Sequence, residues 1–238
     1  MLVVQGQQDE AHAILGQDSE PLLKPGGVTD YSGRTFRKIT AYEYAYWAKD
    51  THMCRKLERH MDDETKVQML ARIDEIERID AATGQPVGLV YSQGGLEHRC
   101  AHFNLTPLIS ALQRYVDGFN AWIATRNWDA MKATWIEVGI LQRDLPVHVV
   151  NEYCRPDRSF APRPEFNEET LPRGVRFYNY NTVGGQALFP LVVSETSGPG
   201  IDFAFVRGGL RAGCCWASTV RGWRPVAMYG LIWRPLAA

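Results

Sequence analysis

Apolar residues recur at helical spacing along most of the first 153 positions, separated by short polar breaks. In residues 9–23 they are Ala11, Ile14, Leu15, Leu22 and Leu23, enough for one or two helical turns before Pro25-Gly26-Gly27. Residues 30–36, Asp-Tyr-Ser-Gly-Arg-Thr-Phe, read as a polar turn. Ala41, Tyr44, Ala45 and Ala48 fall at i, i+3, i+4 and i+7 and predict a helix that Thr40 caps. Met53, Cys54, Leu57 and Met61 predict a second short helix, so residues 40–61 form a helical hairpin. Asp62-Asp63-Glu64 opens a third helix running to about residue 80, its acidic first turn matching the positive end of the helix dipole. Its apolar set, Val67, Leu70, Ile73, Ile76 and Ile79, repeats every three residues and predicts a slanted buried stripe.

Residues 87–91 and 96–103 read as strands joined by a turn at 92–95. The strongest helix follows, with Thr106 as cap and Pro107 at the first helical position. Leu108, Ile109, Leu112, Tyr115, Val116, Phe119, Trp122 and Ile123 make its apolar face. Asn127 caps a further helix over 128–142 bearing Met131, Trp135, Val138 and Leu141. The short link between them predicts antiparallel neighbours. Burying such side chains at roughly 1.5–3 kcal/mol each makes this pair the expected core. One or two further helical turns fit residues 147–153. The proline-rich stretch 155–164 marks a boundary, and residues 175–180, 187–193 and 201–206 have the texture of strands. The expected fold is α+β, mainly α: a helical domain at 8–160 and a small antiparallel β element at 170–207, near the C-terminus.

Composition adds a constraint. The chain has 238 residues, 26 basic and 27 acidic, for a formal net charge of -1. That balance excludes a disordered chain and a wholly basic nucleic-acid binder. No apolar run reaches the length of a membrane span. The average hides an asymmetry, however. Residues 203–238 carry five arginines and no acidic residue, whereas residues 1–202 hold the other 21 basic and all 27 acidic side chains, a net of -6. Residues 208–238 also hold three of the seven tryptophans and lack helical or strand periodicity, and they read as an atypical basic tail of non-native-like texture. The first ten residues have no basic n-region or apolar h-region of a Sec signal, which predicts a cytoplasmic location.

The candidate chemistry is sparse. Five cysteines, odd in number and without a CxxC pair, predict a reducing compartment rather than a disulfide framework. His98, Cys100 and His102 alternate as possible metal ligands, but no second cluster completes a zinc site. His148 and Glu152 are spaced i, i+4 without the second histidine of HExxH. Cys54 lies near His52 and His60 in sequence, the best start for a thiol-dependent hydrolase or transferase, yet helical geometry puts His52 and Cys54 on different faces. Arg155, Arg158, Arg163 and Arg173 make a basic loop, and the glycine pairs match no phosphate-binding motif. No catalytic residue, metal or cofactor is therefore assigned. The remaining feature is aromatic: Tyr42, Tyr46 and Trp47 form a candidate partner-binding set.

Residues 40–57 resemble an ankyrin hairpin. Thr40 matches the ankyrin threonine, Ala45 the first-helix alanine, and Met53, Cys54 and Leu57 the second helix, while Ala41, Glu43 and Lys49 replace the proline, histidine and turn glycine. Residues 30–36, 41–53 and 151–160 are similar to segments of uncharacterised Dot/Icm (type IV) effector-type proteins of intracellular bacterial pathogens. That resemblance spans roughly residues 10–207. It implies a protein-interaction module acting on a host protein and exported without a Sec signal, and it carries over no catalytic residue.

Overall fold

The computed structural model describes residues 2–154, Glu168 and four short strands, Arg176–Asn179, Gly184–Ala187, Ala204–Phe205 and Cys215–Trp216. The fold is α+β and mainly helical, with a four-stranded antiparallel sheet. Helix α1 (Gln8–Leu15) precedes a single 3-10 turn, Glu20–Leu22. Strands β1 (Gly26–Thr29) and β2 (Thr35–Ile39) follow, then helices α2 (Ala41–Trp47), α3 (Thr51–Glu58) and α4 (Asp63–Glu77). The hairpin β3 (Leu89–Gln93) and β4 (Leu96–Cys100) completes the sheet in the order β1-β2-β3-β4. Helices α5 (Thr106–Thr125), α6 (Trp128–Arg143) and α7 (Val147–Cys154) come next.

The principal sheet is thus N-terminal, where a C-terminal one was expected. Its first two strands are only four and five residues long, and β1 opens on two glycines, so they carry too little alternation to stand out from a loop. The polar turn at 30–34 is real, and it closes the β1–β2 hairpin. Asp30 Oδ1 accepts the backbone N–H groups of Ser32 and Arg34, both at 3.0 Å, and the Ser32 hydroxyl at 2.7 Å. The hairpin expected at 87–103 is present, with Leu89 opposite Cys100 and Gln93 opposite Leu96. Further along the chain, β5 (Arg176–Asn179) pairs with β6 (Gly184–Ala187), and β7 (Ala204–Phe205) with β8 (Cys215–Trp216). The rest of the expected β element at 170–207 and of the atypical tail at 208–238 lies outside the described residues.

Local chemistry explains the helix starts. Thr40 and Glu43 form a reciprocal capping box: the Glu43 N–H donates to Thr40 Oγ1 and the Thr40 N–H to Glu43 Oε2. Asp50 caps α3 through the Met53 N–H, Asp62 caps α4 through the Thr65 N–H, and Asn127 caps α6 through the Ala130 N–H. In α4 the expected stripe is rephased. Met69, Ile73 and Ile76 are buried, while Val67, Leu70 and Ile79 are exposed. A step of three falls about 60° short of a turn, so five such residues sweep most of the way round the helix and cannot share one buried face.

The described residues gather into two compact units. One comprises residues 2–103 with Pro146–Val149 and Glu168; the other contains Asn104–Leu145. The first holds the larger core, around Leu22, Phe36, Trp47, Met53, Leu57 and Met69. In the second, α5 and α6 pack Tyr115, Phe119 and Met131 together, flanked by Trp122, Ile123 and Trp135.

Candidate functional site

Three helices and one strand end bring a polar and aromatic face together on the first unit. Tyr42 and Tyr46 stand one turn apart on α2 and share a face. Both are half-buried. The Tyr42 hydroxyl donates to Glu58 Oε1 on α3 at 2.6 Å. Burial, and then the hydrogen bond to the Glu58 carboxylate, push its phenol well up, so the hydroxyl keeps its proton throughout the physiological range. Tyr46 is pushed up by burial and by the nearby Glu77 carboxylate.

Backbone hydrogen bonds place Glu77 and His102 beside Tyr46. The Gly88 N–H donates to the carbonyl of Ile76, which ties the segment before β3 to the end of α4, and the Phe103 N–H donates to that of Trp47, which ties the exit of β4 to α2. Gly88 is required there: its φ is +62°, and a Cβ would lie 2.6 Å from the Cys100 carbonyl carbon. The His102 ring packs 5.0 Å from that of Tyr46, with Nε2 2.8 Å from Glu77 Oε1. Glu43 of α2 reaches Arg72 of α4 at 3.4 Å and braces the two helices.

On another face of α4, apolar surface is exposed. Val67 is 69% exposed and Leu70 61%. At 100° per residue, Val67, Leu70, Asp74 and Glu77 fall within an arc of about 80°. The exposed apolar ridge therefore runs along α4 towards Glu77, whose carboxylate meets His102. The step-of-three pattern marked Val67 and Leu70 but assigned them to the core. Glu58 and Glu77 carried no sequence signal, and His102 was marked only as a possible metal ligand, since only the fold joins the three to α2.

Trp47, the third residue of the expected binding set, is fully buried on the opposite side of α2. It packs against Phe36, Tyr44, Tyr91 and Phe103, and its Nε1–H points at Cys100 Sγ, 3.2 Å away. The face available for recognition is that of Tyr42 and Tyr46.

The other sequence candidates separate in space. His98 stacks on Tyr91 with ring centroids 5.2 Å apart, Cys100 meets Trp47, and His102 meets Glu77. Among the described residues no group of three or more His, Cys, Asp or Glu side chains could hold a metal ion. His148 Nδ1 lies 3.8 Å from Asp50 Oδ2, and His52 Nε2 lies 2.8 Å from the Glu168 carbonyl oxygen. The basic loop residues Arg155, Arg158, Arg163 and Arg173, with Cys154's side chain, lie outside the described residues. Cys54 is buried, and its thiol is pushed up by that burial and by the Asp50 and Glu58 carboxylates. This is the reverse of the electropositive setting that makes a thiolate. Native Cys54 is expected to label with iodoacetamide at pH 7.5 at least about 100-fold more slowly than in urea. Mass-spectrometric mapping that found Cys54 modified at comparable rates in both states would refute this.

The family model for the CBUA0006 C-terminal domain matches residues 107–231. The chain is also similar to the uncharacterised protein CBUA0006 of Coxiella burnetii (strain RSA 493 / Nine Mile phase I), at 39% identity over 226 residues. The alignment covers 91% of this chain and 64% of that protein, so the chain spans less than two thirds of the relative's length. No solved structure matches.

Proposed function

The chain belongs to the CBUA0006 C-terminal domain family, and for this member of it we propose a protein-interaction role carried by the Tyr42–Tyr46 face of α2 and the exposed ridge of α4. The observation that carries the reading is a pair of half-buried tyrosines, Tyr42 tethered to Glu58, on a unit that also exposes two aliphatic side chains of α4. A tyrosine whose hydroxyl is already held, as that of Tyr42 is, loses little conformational freedom when a partner covers it. Val67 and Leu70 supply apolar area that water leaves on docking. Glu58, Asp74 and Glu77 rim the surface with negative charge, in keeping with the net -6 of residues 1–202. The partner that fits has an apolar anchor flanked by Lys or Arg.

In this reading α2 and α3 present side chains on a fixed ridge, as an ankyrin hairpin does. The host-directed role, and export from the bacterial cytoplasm without a Sec signal, belong to the same proposal; they rest on the effector resemblance of residues 30–36, 41–53 and 151–160. The test compares the unaltered chain with a Val67→Glu/Leu70→Glu variant as immobilised bait in host-cell lysates. Both positions are exposed, so the melting curve should be unchanged. A specific partner should be captured by the unaltered chain, and its affinity should drop at least about 30-fold in the variant, the loss of a typical hot spot. Equal capture by both baits, or no specific partner across several cell types, would end the proposal.

A further inference from the structure

A second cluster lies where α1 meets the end of α3. His12, in the last turn of α1, and His60, two residues beyond α3, point their rings at each other. His60 Nε2 lies 2.7 Å from His12 Nδ1, with ring centroids 4.6 Å apart and planes inclined by 59°. At that separation the two nitrogens share one proton, and each ring needs the other to be neutral or to accept. His12 is exposed and His60 half-buried, so solvent ions reach the pair.

We propose that His12 and His60 form a two-histidine chelate for a divalent transition ion of tetragonal preference, copper(II) or nickel(II), which clamps α1 onto α3. Two nitrogens bound cis to such an ion at about 2.0 Å lie about 2.8 Å apart, close to the spacing already present. Tetrahedral zinc would require about 3.3 Å, so it fits less well. As the metal enters, His60 takes up its Nδ1–H tautomer, which frees Nε2 for the metal while both rings stay neutral, and water fills the remaining positions. The backbones are held in place without the metal. Ala11 and Leu15 of α1 are core residues, and Lys56 of α3 reaches Asp9 of α1 at 3.4 Å. Two charges act in opposite senses. The C-terminal end of α1 favours a cation at His12, while Arg59 opposes one at His60.

The test uses the full chain and copper(II) delivered as its glycine complex at pH 7.5. The expected result is one equivalent bound, electron paramagnetic resonance hyperfine structure from two imidazole nitrogens, and a raised melting temperature. His12→Ala, at an exposed position that leaves the circular dichroism unchanged, should weaken binding at least tenfold, and His60→Asn likewise. His98→Ala, a surface histidine on β4, should bind as the unaltered chain does. Unchanged affinity in His12→Ala, or an equal loss in His98→Ala, would overturn the proposal.

Discussion

Replacing Arg34 with leucine should destabilise the first unit by about 3–5 kcal/mol in urea unfolding followed by circular dichroism. Arg34 is 1% exposed and makes a 2.8 Å ion pair with Asp30 Oδ2, itself buried. Its guanidinium lies 4.9 Å from the Phe103 ring centre, 5.4 Å from that of Trp47 and 5.9 Å from that of Tyr91. An arginine in an apolar box is tolerable because its charge is delocalised, weakly hydrated and able to sit on aromatic faces. Leucine fills part of that space but leaves Asp30 Oδ2 with only the Tyr44 hydroxyl, 3.4 Å away. Oδ1 keeps its donors in the turn, so the effect belongs in the lower half of the range. A lysine would not substitute, since a compact ammonium cannot spread over three rings. The loss should be partly recovered in the Arg34→Leu/Asp30→Asn pair, which removes the stranded charge and keeps the turn acceptor. A single variant within about 1 kcal/mol of the unaltered chain would show that the pair contributes nothing.

Parts of this arrangement can be read from the chain alone, and the divide is physical. Local signals survive folding. The Thr40 cap, the Asn127 cap, the β3–β4 hairpin and the turn at 30–34 depend on residues within a few positions of one another. Signals that need a partner do not. The α4 stripe of Val67, Leu70, Ile73, Ile76 and Ile79 is apolar throughout, and nothing in it says which two-fifths will meet the sheet. Glu58 is 16 residues from Tyr42, and His102 is 56 residues from Tyr46; no spacing rule joins them. The same holds for His12 and His60, which lie 48 residues apart on different elements. The aromatic cluster at 42–47 shows the limit most directly. Composition marks it as a recognition surface, but helical phase splits it, since Trp47 lies one residue past Tyr46 and so about 100° round the helix.

That split has a sharp experimental consequence. Trp47→Ala should cost about 3–5 kcal/mol, the range for removing a buried tryptophan. Trp47 makes edge contacts with Phe36 at 5.1 Å, Tyr91 at 5.6 Å and Phe103 at 5.8 Å, and it is one wall of the Arg34 box. Truncation opens a cavity where α2 meets the sheet and removes the N–H directed at Cys100. Trp47→Phe keeps a ring against Arg34 and should cost distinctly less. Because Arg34 and Trp47 touch, their effects should not add; the Arg34→Leu/Trp47→Ala variant should depart from the sum by about 0.5–3 kcal/mol. A surface anchor would behave in the opposite way. Its truncation would leave stability within about 0.5 kcal/mol and remove partner capture. Val67→Glu/Leu70→Glu is expected to show that second pattern and Trp47→Ala the first. If Trp47→Ala instead leaves the urea midpoint unchanged, the aromatic core placed here between α2 and the sheet is wrong.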